Sequence, residues 1–300
     1  EPVGRRTRRR IHSERFRMSV SLLGANEIRE LAAELDVTPT KKLGQNFVHD
    51  PGTVRRIVQT AKVRAGEHIL EVGPGLGSLT LGLLETGASV TAIEIDERLA
   101  ARLPQTVADH APGAQLDVIV SDALQVQDVP GEPVALVANL PYNVSVPVLL
   151  HLLERLPSLE RGVVMVQAEV GERIVAGPGS KVYGSPSVKA AWYGSWTSAG
   201  LVGRKVFWPV PNVDSILISY TERDTPRGSE ELRRKVFRIV DAAFGQRRKM
   251  LRQALSPLLG ENAAATSPVL EASGIDPTAR GETVGIDDYV RLAEAWQPEA

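Results

Sequence analysis

The segment Asn139-Leu140-Pro141-Tyr142 combines residue types that could hold an aromatic amine. It follows the apolar run VALVA at 134–138, which predicts a buried strand, and open α/β sheets bind ligands at the carboxyl ends of their strands. The Asn139 side-chain oxygen and the Leu140 carbonyl could each accept a hydrogen from an exocyclic amine of a nucleic-acid base. Pro141 would stiffen the turn, and the ring of Tyr142 could stack on the base.

Methyl transfer is a reaction that such an arrangement suits. An exocyclic amine is a poor nucleophile because its lone pair is delocalised into the ring, and two acceptors would draw the nitrogen towards sp³ geometry. The nitrogen becomes strongly acidic once it has gained a methyl group, so no strong base is required. Positioning and hydrogen bonding would then carry the catalysis. An ordinary Asn-Pro turn beside a packed tyrosine is the alternative.

A glycine-rich turn lies earlier in the chain, in EVGPGLGSLT at 71–80. Glycines occupy 73, 75 and 77, and Ser78 stands where the dinucleotide-binding fingerprint has its third glycine. Glycine lets a backbone approach a ligand closely and adopt a positive φ. The G-x-G-x-G spacing after an acidic residue is typical of Rossmann-like methyltransferases, so Gly73 and Gly75 are predicted to cradle S-adenosylmethionine. A bare structural turn is the alternative.

Acidic residues end the next two predicted strands. Glu94 closes the strand of AIEID, where a carboxylate could accept both hydroxyls of a ribose. Asp122, followed by Ala123, closes the strand of LDVIVSDAL and could accept from an adenine amino group. Each acid alone could cap a strand end or lie in solvent. Acids at successive strand ends favour a nucleoside site; NAD stays possible on the Glu94 argument alone, although the glycine spacing argues against it.

These residues need a scaffold that brings strand ends together, and the surrounding pattern predicts one. HILEV, SVTAIEID, LDVIV and PVALVA predict strands with helical segments between them, which implies parallel pairing in a doubly wound sheet. A later strand is predicted within 203–223, and helices follow it. The predicted fold class is α/β: a Rossmann-like methyltransferase domain at 26–222 and a small all-helical C-terminal domain at 223–300.

The chain's start and its bulk composition narrow the function classes. Residues 1–17 are arginine-rich without the apolar core of a secretory signal, so a basic, disordered leader is expected over 1–25, while an RNA-binding arm or a transit segment stays open. The chain has no cysteine, a formal net charge of −1 and no apolar run as long as a membrane span. Disulfides and thiolate metal sites are excluded, no metal is expected, and a cytoplasmic protein is favoured.

One segment near the end concentrates positive charge. Residues 233–252 hold eight lysines or arginines and one acid, Asp241, while apolar residues keep a helical stripe. Such a run is often only a solvated helix face. Beside a nucleotide-type pocket in a nearly neutral chain, it favours binding of an RNA backbone. The predicted RNA-binding residues are Arg247, Arg248, Lys249 and Arg252.

Together the motifs resemble those of the KsgA family, the bacterial small-subunit ribosomal RNA adenine dimethyltransferases. The resemblance covers roughly residues 43–293. LGQNF, EVGPGLG, EID, DAL and NLPYN occur in that order. GSKVYGSPSV, FWPVPNVDS, FGQRRKMLRQAL and GIDPTARGE follow them, and these late motifs are the more specific ones.

The resemblance implies a function and a set of site residues. A KsgA-type enzyme uses S-adenosylmethionine to dimethylate the N6 amines of two adjacent adenosines near the 3′ end of 16S ribosomal RNA, in the small subunit or its precursor, and we expect it to act as a monomer. Phe207 is implied to face Tyr142 across the target base, with a core phenylalanine as the alternative. The implied S-adenosylmethionine site consists of Gln45, Asn46, Val48, Gly73, Glu94, Asp122 and Asn139.

Two positions depart from the family pattern. Val48 stands where leucine is commoner, which is harmless if the residue acts through its backbone. Ala168 in MVQAEV stands where lysine is usual. A phosphate contact or a local salt bridge is therefore expected to be absent there, and RNA contact at that point is expected to be weaker.

Two other functions stay open from the sequence. One is methylation of large-subunit RNA by an enzyme of the erythromycin-resistance type, which usually has a different residue between Asn and Pro and lacks this form of PxPxVDS followed by QRRK. The other is a ribosome-assembly or transcription factor that has kept the fold without turnover. The intact glycine turn and the intact NLPY segment argue against that reading.

Overall fold

The computed structural model describes residues 19–37 and 45–296. The arginine-rich segment 1–17 and the first two residues of LGQNF therefore lie outside the described residues. Residues that precede the first helix are packed: Leu23 is 2% exposed, and the Ser21 backbone N–H donates to a carbonyl at 2.9 Å. The prediction of a disordered leader over 1–25 is therefore wrong for its last residues, because Ser21 is hydrogen-bonded and Leu23 belongs to the core.

Helices and strands alternate along most of the chain. The helices are α1 (Ala25–Glu34), α2 (Pro51–Thr60), α3 (Ser78–Leu84), α4 (Glu97–His110), α5 (Ser145–Arg155), α6 (Ala168–Val175), α7 (Ser185–Tyr193), α8 (Glu230–Gly245), α9 (Leu251–Ala254), α10 (Ser256–Leu259), α11 (Ala263–Ala272) and α12 (Ile286–Ala295). The strands are β1 (Phe47–Val48), β2 (His68–Val72), β3 (Ser89–Glu94), β4 (Leu116–Val120), β5 (Ala135–Asn139), β6 (Arg161–Gln167), β7 (Gly194–Val202), β8 (Phe207–Trp208) and β9 (Ser215–Glu222). Among the residues described, no helix has the length and apolar character that crossing a membrane demands.

Seven strands of the described chain form one sheet in the order β4-β3-β2-β5-β6-β9-β7. The first five are parallel to one another, which confirms the pairing predicted from the alternation of strands and helices. β9 is antiparallel to both β6 and β7. From β2 the chain adds β3 and β4 on one side of the sheet and then β5 and β6 on the other. At such a reversal, between β2 and β5, a ligand crevice is expected at the carboxyl ends of the strands.

Helices cover both faces of this sheet, and the strand residues divide between the two faces. In β5, Ala135 and Val137 belong to one core cluster, while Leu136 and Ala138 belong to the other. Alternate side chains of a strand point to opposite faces, so a strand buried on both sides must be apolar at every position. This is why the central strands appear in the sequence as unbroken apolar runs.

The C-terminal helices have a core of their own. The third core cluster gathers residues of α8, α9, α11 and α12. The strands end at Glu222, close to the predicted domain boundary. The cluster also contains Tyr183, Val188 and Trp192, from α7 and the segment before it, so one helix within the predicted methyltransferase domain packs mainly with the helical domain.

A second, small sheet lies beside the crevice. β1 pairs with β8 in antiparallel register, Phe47 opposite Trp208 and Val48 opposite Phe207. The sequence patterns predicted no strand at 45–50, so this pair is found only in the structure. It depends on contact between segments about 160 residues apart in the sequence, which no local pattern reveals.

Candidate active site

The carboxyl ends of β2, β3, β4 and β5 open into one cavity of about 190 Å³. The structure brings every predicted cofactor residue to its lining: Gln45, Asn46, Val48, Gly73, Gly75, Glu94, Asp122, Ala123 and Asn139. Leu140, Pro141 and Tyr142 line the same cavity. Residues from separate motifs therefore meet at one edge of the sheet, as the parallel arrangement requires.

The glycine turn forms the floor of the cavity. Gly73 and Gly75 have φ of 66° and 58°, a region that glycine enters without steric cost. A Cβ at Gly75 would lie 2.9 Å from the ring of Phe47, so a side chain at this position would also displace the cavity wall. The turn thus needs glycine both for its backbone conformation and for close packing.

Glu94 is held in place by two backbone hydrogen bonds. The Gly75 N–H donates to its Oε2 at 3.1 Å, and the Asp96 N–H donates to its Oε1 at 2.9 Å. The residue is 5% exposed, and burial raises the pKa of its carboxyl, an effect that these hydrogen bonds oppose. Each oxygen retains acceptor capacity. The neighbouring Ile95 is 52% exposed at the cavity, so a polar acceptor and an apolar surface lie side by side.

Asp122 has a local role as well as a place in the lining. Its Oδ1 accepts from the Leu124 N–H at 2.9 Å and so caps the 3₁₀ turn Ala123–Gln125. Capping was the structural alternative for this residue. One carboxylate can do both, because its second oxygen is not used by the cap.

One wall of the cavity is the strap, defined here as residues 45–49. Ser78 Oγ donates to the Val48 carbonyl at 2.5 Å, and Asn139 Nδ2 donates to the Asn46 carbonyl at 3.1 Å. Pairing with β8 holds the strap on its other side. Because Val48 contributes its carbonyl, the departure from leucine at this position leaves that contact intact.

The Asn139 side chain is oriented by the strap. Its Nδ2 is committed to the Asn46 carbonyl, so its Oδ1 must face the opposite direction. That oxygen is buried and has no hydrogen-bond partner among the described residues. A buried acceptor without a donor is costly, and such an atom in a native protein calls for a partner, such as an ordered water or a bound ligand. At this edge of the cavity the oxygen can accept a hydrogen from an amine.

Tyr142 and Glu71 complete the polar groups of the site. The Tyr142 hydroxyl lies 2.6 Å from Ser215 Oγ, and burial raises the pKa of the phenol. Glu71, the acid before the glycine turn, is 1% exposed and accepts from Thr80 Oγ1 at 2.6 Å. Burial, with the nearby Glu94 carboxylate, raises the pKa of Glu71 to about 8. In the sequence, Glu71 and Ser215 can be recognised only as members of motifs. Their hydrogen bonds to Thr80 and Tyr142 join different elements, and no local pattern predicts them.

Phe207 is not where the resemblance implied. Its ring is 1% exposed, belongs to the first core cluster and does not line the cavity, whereas Tyr142 does. The residue pairs through β8 with Val48. A ring at this depth supports the strap, and it cannot stack on a base in this conformation. The core alternative describes Phe207 here.

The basic segment is not one continuous helix. α8 ends at Gly245, and Arg247, Arg248 and Lys249 lie in the turn before α9. Arg247 is bonded to Glu282 at 2.8 Å and to the Lys181 carbonyl at 2.7 Å. Arg248 and Lys249 are exposed and form no ion pair with another described residue.

Several earlier cations of the segment are also paired. Arg233 is buried against Glu154 and Glu230, at 3.0 and 2.6 Å. Arg234 pairs with Glu230 at 2.9 Å, and Lys235 with Glu231 at 3.6 Å. All these acids lie outside 233–252 in the sequence. Arg238 of α8 is exposed and packs over the ring of Trp296 without an ion pair to any residue in the described part of the chain, so unneutralised positive charge remains there and on the turn after α8.

Comparison with known proteins agrees with this geometry. The family model described as ribosomal RNA adenine dimethylase matches residues 38–297. The ribosomal RNA small subunit methyltransferase A of Leifsonia xyli subsp. xyli is 65% identical over 274 residues, which cover 91% of this chain and 98% of that protein.

Solved structures show the same architecture. A dimethyladenosine transferase from Plasmodium falciparum superposes with a TM-score of 0.71 at 24% identity, covering 82% of this chain and 95% of that one. The 23S rRNA methyltransferase ErmE superposes with a TM-score of 0.63 at 28% identity, covering 83% and 99%. The first of these similarities supports the fold alone.

Proposed function

Because this chain belongs to the ribosomal RNA adenine dimethylase family, we propose that its cavity binds S-adenosylmethionine at the ends of β2, β3 and β4 and a target adenine at the end of β5. The protein is an S-adenosylmethionine-dependent dimethyltransferase that acts on adenines of the small-subunit (16S) ribosomal RNA. Its specific targets are proposed to be the N6 amines of two adjacent adenosines near the 3′ end of that RNA.

The lining suits the methyl donor. Glu94 offers a fixed carboxylate to the ribose hydroxyls, and Asp122 offers an acceptor to the adenine amino group. The exposed side chain of Ile95 provides an apolar surface for a flat ring. When bound, S-adenosylmethionine supplies an electrophilic methyl group. The turn at Gly73 and the strap hold the ligand from two sides.

The target amine is proposed to bind at Asn139. The observation that carries this proposal is the buried Asn139 Oδ1, which has no donor in the described chain and whose direction is fixed by the hydrogen bond to Asn46. The Leu140 carbonyl is the second proposed acceptor. Tyr142 supplies a ring for stacking, and Pro141 holds the turn that relates the three residues. Two acceptors and one ring fix an amine nitrogen without any group that must take its proton.

The RNA is proposed to contact the turn after α8. Arg248 and Lys249 are the principal contacts, with Arg252 beside them, while Arg247 contributes mainly to the local structure through Glu282. Folded RNA is recognised largely by shape and backbone, so exposed cations at a fixed turn are suited to it. We propose that the protein acts as a monomer in the cytoplasm on the small subunit or its precursor.

The test is transfer of labelled methyl groups from S-adenosylmethionine to small ribosomal subunits that lack the modification, followed by nucleoside mass spectrometry. The expected product is N6,N6-dimethyladenosine in 16S RNA. Large subunits assayed in parallel address the erythromycin-resistance alternative, and methylation of 23S RNA alone would contradict the proposal. Binding to subunits without any transfer would favour the non-catalytic assembly factor.

A further inference from the structure

A hydrogen bond links the proposed stacking ring to a distant strand. The Tyr142 hydroxyl lies 2.6 Å from Ser215 Oγ, and the two residues are 73 positions apart in the sequence. Tyr142 follows the carboxyl end of β5, whereas Ser215 is the first residue of β9. β9 is antiparallel to its neighbour β6, so its first residue lies at the same edge of the sheet as the carboxyl ends of the parallel strands. The tyrosine therefore reaches across the end of β6.

Ser215 is a rigid attachment point. It is 0% exposed, and its backbone is paired on both sides, with Gln167 of β6 and with Val202 of β7. A residue held by two neighbouring strands has little freedom to move. Tyr142, by contrast, lies half-buried in the turn after β5, where its ring orientation depends on two side-chain torsions. The hydrogen bond at the far end of the ring restricts both torsions.

We propose that Ser215 is a positioning residue for methyl transfer: its hydroxyl holds the Tyr142 ring in the orientation against which the target adenine stacks. This inference rests on the proposed function, because it requires that Tyr142 contacts the base. The sequence alone assigns a role to the Tyr142 ring and none to its hydroxyl. The structure gives that hydroxyl a partner.

The physical effect is preorganisation. A ring that is already oriented loses less conformational entropy when the base arrives, and the amine is brought to Asn139 in a narrower range of geometries. Loss of one neutral hydrogen bond of this kind corresponds to a rate decrease of about three- to tenfold. Because Ser215 does not line the cavity, the affinity for S-adenosylmethionine should not change.

The test is a double-mutant cycle with Ser215→Ala, Tyr142→Phe and the double variant. Single-turnover methyl transfer is measured on unmethylated small subunits with saturating S-adenosylmethionine, and the affinity for S-adenosylmethionine is measured by calorimetry. Both single variants should lose about three- to tenfold in rate, and the double variant should be no slower than either. If the serine had a purely structural role in β9, Ser215→Ala would slow the reaction further even in a protein that already carries Tyr142→Phe.

Ser219→Ala is the matched control, since it makes the same substitution on the same face of β9, four residues further on. It should keep the wild-type rate. Four results would each overturn the inference. Two concern the cycle: independent, multiplicative losses in rate, or a wild-type rate for Ser215→Ala. The others are an equal loss of rate for Ser219→Ala and a weakened affinity for S-adenosylmethionine. If Ser215→Ala unfolds early in a thermal melt, Tyr142→Phe tests the same bond from its other end, and a wild-type rate for Tyr142→Phe would overturn it. A wild-type protein that transfers no methyl group would contradict the proposed function itself.

Discussion

The edge of the sheet and the C-terminal helical domain use polar groups in opposite ways. At the edge, Glu94 and Asn139 are largely removed from water, and backbone hydrogen bonds fix their directions. In the helical domain acids from other elements neutralise several of the cations, for example Glu154 the buried Arg233 and Glu282 the partly exposed Arg247. Substitution of a single buried group is therefore expected to have a large effect on the site in the first region. In the second region, only the few cations without an acidic partner are expected to act on RNA.

The difference follows from geometry. Parallel strands bring their carboxyl ends to one edge, so an ordered series of motifs in the sequence becomes a cluster in space. Helices distribute their side chains around an axis, and their neighbours belong to other elements. The number of charged residues along one helical segment therefore does not predict the net charge of the surface to which it contributes. The order of strand ends in the sequence, by contrast, predicts which residues meet in one site.

The largest expected effect tests the buried acceptor. Asn139→Ala should lower the single-turnover rate of methyl transfer by about 10²–10³-fold, the usual cost of removing one preorganised hydrogen-bonding group. The measurement uses unmethylated small subunits and saturating S-adenosylmethionine, with subunit binding checked separately. Asn212→Ala removes an exposed amide from a nearby loop and is the control. A nearly wild-type rate for Asn139→Ala would show that its free oxygen does not hold the amine.

The next effect concerns the ribose acceptor. Glu94→Ala should weaken binding of S-adenosylmethionine by roughly 1–3 kcal/mol, because donors of the ligand would be left unpaired in a buried site. Calorimetry on the folded variant measures this directly. Glu97→Ala removes an exposed acid from the start of the following helix and serves as the comparison. Unchanged affinity in a folded Glu94→Ala protein would remove Glu94 from the site.

The second region gives a smaller and salt-dependent effect. Reversing Arg248 and Lys249 to Glu should weaken subunit binding and reduce the slope of log K against log salt by about 2, because two fewer phosphates would be neutralised. Binding of S-adenosylmethionine should not change. The same reversal at Arg234 and Lys235, which changes net charge equally on paired residues, should have less effect.

Equal losses from the two pairs of substitutions would show that only total charge matters and that the turn after α8 is not a specific contact. Each substitution at Arg234 or Lys235 also replaces an ion pair on the helix by a contact between like charges, but pairs of this kind change stability by only about 0.3–0.5 kcal/mol. Thermal melts of both double variants should therefore resemble that of the wild-type protein.

The last of these effects lies inside the first region and develops gradually with pH. The pKa of Glu71 is raised to about 8 by burial, so the folded protein keeps a proton there that the unfolded chain releases near its ordinary value of 4.5. The contribution of this proton to the free energy of unfolding is complete below pH 4.5. It is lost as pH rises towards 8, at no more than about 1.4 kcal/mol per pH unit. Glu71→Gln should flatten this dependence in denaturant unfolding between pH 5 and 8. An identical slope in the variant would contradict a neutral Glu71.

The sequence predicted the central strands almost to the residue, because they are buried on both faces and bounded by turns. It did not predict β7, an edge strand with a bulge between Ser198 and Leu201 whose polar residues and glycines break any alternation. The antiparallel pairing of β9 was also missed, since pairing direction at the end of a sheet depends on how the chain returns to it.

The candidate site divides in the same way. Residues on strand ends were placed correctly in the cavity because the fold class fixes where those ends meet. Phe207 was misplaced, because no pattern in the sequence shows that its strand pairs with β1 or that its ring is packed in the core. Ser215 received no role, since its contact with Tyr142 exists only after β9 has been set beside β6.

The position of α7 determines what happens if the chain is divided. The boundary near Glu222 separates strands from helices in the sequence, but Val188 and Trp192 of α7 are buried against residues of α8 and α12. A fragment that ended at residue 222 would expose these side chains to water and would be prone to self-association. Because α7 packs against α8 and α12, a single cleavage in the exposed linker before α8 should leave the two pieces associated until the helical half unfolds.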